Sequence, residues 1–190
     1  MSIEEKVNQV EHLYVKLDKQ IASFQEATTL HCKFGCGKCC TKPDIEATVL
    51  EFLPFAFYLY QNNKAELWWE RLKSNDNSIC LIFNENQSGA GLCTEYKHRG
   101  LICRLFGYAA RTNKYGKKEL VTCQIIKSEQ KAQYEATTVA IENDVAVPVF
   151  NQFYMQLAAI DDDLTKQFFP INVAIQKAIE EVLHYYAYRV

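Results

Sequence analysis

Four of the eight cysteines in this chain fall within nine residues, Cys32-Lys33-Phe34-Gly35-Cys36-Gly37-Lys38-Cys39-Cys40. Thiolates at such short intervals suit a soft metal ion or an iron–sulfur cluster. Cys36 and Cys39 have the two-residue spacing of a metal knuckle, and Gly35 and Gly37 let the backbone take the positive φ such a turn uses. Cys39 and Cys40 are adjacent. In an extended chain neighbouring side chains point to opposite faces, so both reach one ion only if the backbone bends. Otherwise Cys40 serves a second site or packs as a small apolar residue. Cys80, Cys93 and Cys103 can supply the second half of a site. The preferred ligand pool is therefore Cys36, Cys39, Cys40, Cys80, Cys93 and Cys103, with Cys32 and Cys123 in reserve. Eight thiols could make two four-sulfur sites or one site with spares.

Four thiolates around zinc or an oxidised four-iron cluster carry a net charge near −2, which nearby cations would offset. Lys33, Lys38, Arg99 and Arg104 stand beside the cysteines. Arg99 and Arg104 are the candidate cofactor-binding donors to sulfur, Arg104 the stronger because apolar residues surround it in sequence. His31 and His98 could each add a nitrogen ligand, although a histidine in a surface loop is the commoner case. His12 and His184 have no assigned role. Asp161-Asp162-Asp163 lacks the frame of a calcium loop and reads as a solvated helix junction.

The 190 residues and the formal net charge of −2 fit a single domain over residues 1–190. Within it, 1–28 forms an N-terminal helix, 32–123 the cysteine-cluster region and 128–190 a helical C-terminal part. The near-neutral charge gives no footprint for nucleic acid, and no apolar run is long enough to span a membrane. An acidic start without an apolar signal segment points to the cytoplasm, where clustered thiols serve as ligands more often than as disulfides.

Helix periodicity is clearest at the N-terminus, where Ile3, Val7, Val10, Tyr14, Leu17, Ile21 and Phe24 share one face. That face could pack on a core or take a protein partner. Thr48-Val49-Leu50-Glu51 has capping-box form and predicts a helix over 49–60, bent by Pro54. Further helices are expected over 65–73, 145–160 and 171–188. A short buried strand is expected at 79–83, then a turn over 84–91 ending in Ser88-Gly89-Ala90-Gly91. Residues 108–111 and 119–126 flank a hairpin turn at Gly116. The fold class is thus predominantly α with a few short strands, built around an irregular cysteine-rich core.

The ordered set Gly35-Cys36-Gly37-Lys38-Cys39-Cys40, the Thr48–Glu51 helix start, Cys80-Leu81-Ile82-Phe83, Cys93-Thr94-Glu95-Tyr96 and Cys103-Arg104-Leu105-Phe106 resembles the YkgJ or CxxCxxCC family. The family's usual Arg-Pro is Arg99-Gly100 here, and the first cysteine stands one residue further upstream, at Cys32. The resemblance implies a zinc- or iron-chelating domain, structural or redox-active, with zinc or an iron–sulfur cluster as cofactor. A related cluster in flagellin lysine methylase tips the expectation slightly toward iron. It also suggests an alternative, an iron–sulfur-dependent protein-modifying enzyme. No dinucleotide fingerprint, phosphate loop or nucleophile elbow accompanies the cysteines.

Overall fold

The computed structural model describes residues 1–33, 35–85 and 91–188. In chain order they form α1 (Ile3–Thr28), β1 (Glu46–Ala47), a 3-10 turn (Leu50–Phe52), α2 (Leu53–Gln61) and α3 (Ala65–Lys73). Next come β2 (Phe83–Glu85), β3 (Gly91–Cys93), a second 3-10 turn (Tyr96–His98), α4 (Leu101–Leu105), β4 (Ala109–Thr112) and β5 (Lys118–Val121). The chain continues through α5 (Gln124–Glu129), α6 (Lys131–Glu142), α7 (Phe150–Ala158), β6 (Phe169–Pro170) and α8 (Ile171–Ala187). The fold is mostly helical, as expected. Its strands pair as antiparallel ladders, β1 with β6, β2 with β3 and β4 with β5.

Two compact units share the chain. Residues 1–12, 35–100 and those from 157 onward make the first, while 13–34 and 101–156 make the second. The apolar face of α1 is buried from Ile3 to Phe24, with Leu13 added to the expected set. That face is used within this chain and is not available to a partner.

In the first unit α8 is the central element. Ile171, Ala174, Ile175, Ala178, Ile179 and Val182 recur at helical spacing and are all buried, against α2 and α3. From α2 come the buried Leu53, Phe55, Ala56 and Leu59. Pro54 does not bend a longer helix. It occupies the first turn of α2, where its missing N–H has no partner to lose. Glu51 does reach back as a capping residue should, accepting the Thr48 amide at 2.9 Å. The Thr48 hydroxyl donates to that same carboxylate oxygen at 3.2 Å instead of capping.

The expected strand at 79–83 is displaced. Residues 79–82 form a turn closed by the Phe83 amide on the Cys80 carbonyl at 3.0 Å, and only Phe83–Glu85 pairs as a strand. The expected turn at Ser88-Gly89-Ala90 lies outside the described residues. In the second unit the β4–β5 hairpin turns at Gly116, φ 77°. The Asn113 side chain braces it by accepting the Tyr115 and Lys117 amides. Its second strand stops at Val121 because Cys123 already caps α5. The expected helix from 145 begins at Phe150, since Val149 bridges Ala110 and the Pro148 carbonyl takes the Ala110 amide.

The aspartate run is a junction, as its composition suggests. Asp161 accepts the Leu164 amide at 3.0 Å and pairs with Lys6 at 2.5 Å, while Asp163 pairs with Lys166. Tyr186 donates to Glu4, a second tie on the first turn of α1. Burial pushes the Asp161 pKa up, but the bonds from Lys6 and Leu164 and the Lys6 charge outweigh it. The carboxyl therefore ionises below its ordinary 3.8. A lowered carboxylate pKa contributes stability above the unfolded value and loses it as pH falls. Asp161→Asn should cost up to about 1 kcal/mol near neutral pH, the range of a solvent-screened pair. Urea melts of both proteins should show the gap closing below pH 3.8; an equal gap in acid would count against the ion pair.

Candidate metal centre

The cysteine loop of the first unit carries the bend that adjacent ligands require. Gly35 and Gly37 sit at φ 71° and 58°, and the Cys40 amide closes a turn on the Gly37 carbonyl at 2.8 Å. Thr41 adds a hydroxyl bond to the Lys38 carbonyl at 3.0 Å. The result places Cys39 Sγ and Cys40 Sγ 3.9 Å apart. Two sulfurs each ~2.3 Å from one tetrahedral ion stand ~3.8 Å apart, so this pair has the separation of two ligands on a single metal.

Cys80 and Cys93 are delivered by the neighbouring turn and ladder. Cys93 ends β3 opposite Phe83. Cys80 lies in the 79–82 turn, and the Asn172 side chain of α8 holds residues 77–81 at three points. Asn172 accepts the Leu81 amide at 2.8 Å and donates to the Asn77 and Ile79 carbonyls at 3.0 and 2.9 Å. Cys36 belongs to the same unit and is half-buried.

These thiols act on one another electrostatically. Burial pushes the Cys80 thiol up to about 11, with a further rise from Cys93. Burial also raises Cys93, on which Arg99 acts downward while Glu95 and Cys39 act upward. Cys39 moves the other way, to about 6. The hydrogen bond with Cys40 is the largest cause, and it overcomes burial with help from backbone bonds and the Arg99 charge. Cys39, Cys93 and Arg99 thus lie within electrostatic reach of each other, and Cys80 within reach of Cys93.

Arg99 is tightly placed. Its Nε donates to the Tyr96 carbonyl at 3.2 Å, and its guanidinium lies 3.6 Å from the Tyr96 ring centre. Gly100, next in the chain, passes so close to the core that an added Cβ would meet Phe52 Cζ at 2.8 Å. His98 stacks on Tyr58 at 4.4 Å and packs beside Phe55.

Cys32, Cys103, Cys123 and Arg104 belong to the second unit. The Cys32 amide donates to the Tyr108 hydroxyl, and its side chain is exposed. His31, beside it, places Nδ1 3.1 Å from the Thr29 carbonyl. Cys103 is half-buried in α4. Cys123 has a structural task, its sulfur accepting the Ile126 amide at the start of α5. Arg104 is buried, pairs with Asp18 at 2.6 Å and lies over the Tyr14 ring.

Residues 31–137, more than half of the chain, match the model of the CxxCxxCC family, whose description is "Putative zinc- or iron-chelating domain". The chain belongs to this family. No curated protein and no solved structure matches it. The family supports cysteine-ligated binding of zinc or iron, and the soft donor set and the 3.9 Å sulfur pair fit that chemistry. Among the described residues, no three His, Cys, Asp or Glu side chains already close around a common point. None of the described helices is long and apolar enough to cross a membrane.

Gly100 entered the motif only as a departure from the family's Arg-Pro, and Asn172 escaped it. Asn172 did leave a signal, a polar residue interrupting the apolar stripe of α8. Replacing it by leucine strands one amide and two carbonyls near the core, a loss of roughly 1–3 kcal/mol. Asn172→Leu should also speed alkylation of Cys80 in the metal-free, reduced protein, measured by mass spectrometry beside urea melts. Unchanged Cys80 labelling in a destabilised variant would mean that Asn172 supports the fold without holding this turn.

Proposed function

We propose that this protein binds a single zinc or iron ion through thiolates of its first unit, with Cys39 and Cys40 as the nucleating pair. The observation that carries the reading is their 3.9 Å sulfur–sulfur separation, the edge length of a tetrahedral thiolate site. Cys36, Cys93 and Cys80 would supply the remaining sulfurs. These five thiols suffice for a four-coordinate ion, and Cys103, Cys32 and Cys123 need not take part.

The chemistry supports this assignment in two further ways. Cys39 already favours the thiolate, the form that ligates metal, and so offers an entry point. Cys80 and Cys93 lie where burial opposes a lone negative charge, so a bound cation is what would make their thiolates favourable. Arg99 would offset the surplus negative charge of the filled site. Ligands drawn from one loop, one turn and one ladder would tie these elements together, consistent with a structural or redox module.

The protein should be purified without oxygen and assayed for iron, zinc and acid-labile sulfide. About one ion per chain without sulfide is expected. Cys39→Ser and Cys40→Ser should each lose most of the metal and lower the melting temperature. Cys123→Ser should keep the metal and cost about 1 kcal/mol or less as an altered helix cap. Iron and sulfide in matched amounts would replace the single ion by a cluster. Neither metal in the protein would overturn the proposal.

A further inference from the structure

An open groove of about 640 Å³ runs between α3 and α8 in the first unit. Leu67, Trp69 and Leu183 contribute apolar surface to it, and Glu66, Glu70 and Glu180 contribute carboxylates. Leu67 is 61% exposed although it lies on a helix whose other leucine, Leu72, is buried. The spacing 66-67-70 on α3 and 180-183 on α8 puts these side chains along two facing helix ridges. An open trough of this kind suits a helix laid along it better than a small metabolite, which is usually enclosed on most sides.

We propose that this groove docks a basic amphipathic helical segment of a protein partner. Charge complementarity selects that occupant. Apolar side chains at helical spacing would cover Leu67 and Leu183, and flanking lysines or arginines would meet Glu66, Glu70 and Glu180. The wall is preorganised, because Glu180 accepts both the Trp69 indole N–H at 2.8 Å and the Gln176 amide at 2.9 Å. The Trp69 face already takes a cation, since Lys73 Nζ lies 4.6 Å from its ring centre. An incoming lysine would compete for that position. None of these residues belongs to the cysteine site, so the inference stands apart from the metal reading.

The test uses the full chain as purified and a fluorescein-labelled synthetic helix of leucine and lysine, with a leucine–glutamate helix of the same pattern as counterpart. Anisotropy titration should show the lysine helix binding at least roughly tenfold more tightly than its counterpart, with an affinity that falls as salt rises. Leu67→Gln and Glu70→Lys each alter an exposed position of α3. Each should weaken binding roughly tenfold while circular dichroism stays unchanged. Glu70→Gln serves as a second, milder variant that reads the charge alone. Equal binding of both helices, or undiminished binding to Leu67→Gln and Glu70→Lys, would overturn the proposal. So would a concentration-dependent dimer abolished by Leu67→Gln, which would assign the groove to a second copy of this chain.

Discussion

Asn172 joins the hydrophobic core of the first unit to its cysteines. It opens α8, the helix whose buried face organises α2 and α3, yet its own side chain is spent on the backbone of residues 77–81. A short irregular turn cannot bury its amides and carbonyls without partners, and one carboxamide supplies both a donor and an acceptor. With those groups satisfied, Cys80 can sit in a buried position without a full β-ladder around it. The cost of that burial falls on the thiol, which is pushed toward its neutral form.

Opposed environments push the first-unit cysteines toward different protonation states. Cys39, beside Cys40 and under the influence of Arg99, is stabilised as a thiolate. Cys80 and Cys93 are held where burial opposes the thiolate. A chelating site benefits from both kinds, one sulfur ready to capture an ion and others whose ionisation is coupled to its arrival. Arg99 is placed by the Tyr96 ring and carbonyl, and Gly100 beside it lets the backbone pass close to Phe52. Its position is a property of the backbone path as much as of its own long side chain.

Several features of the second unit illustrate how one residue type takes different work. Cys123 stands in the same sequence series as the candidate ligand cysteines, but its sulfur caps a helix. Arg104 follows a cysteine directly, yet its guanidinium lies against Asp18 and Tyr14 on α1. Proximity in sequence suggests a shared site; the direction of a side chain depends on the element that carries it.

The helices α1 and α8, the hairpin turn at Gly116 and the family itself were legible from the chain alone. Each rests on local periodicity, on backbone permissiveness or on a specific run of cysteines. Thiolate chemistry was equally plain, because no other feature explains four cysteines in nine residues. Tertiary structure decided what local pattern could not. Pro54 reads as a kink in isolation and becomes a first-turn residue once the 3-10 turn at Leu50–Phe52 ends the preceding segment. The apolar run at 79–83 reads as a strand, yet Asn172, more than ninety positions away, binds the backbone of Ile79 and Leu81 and leaves only Phe83 in a ladder. The bend that brings the Cys39 and Cys40 sulfurs to one side is local, closed by the Gly37 and Lys38 carbonyls, whereas the reach of Arg99 to Cys39 depends on contacts distant in sequence. Spacing identifies which atoms can bind a metal, but their separations are set by packing, which a linear pattern does not contain.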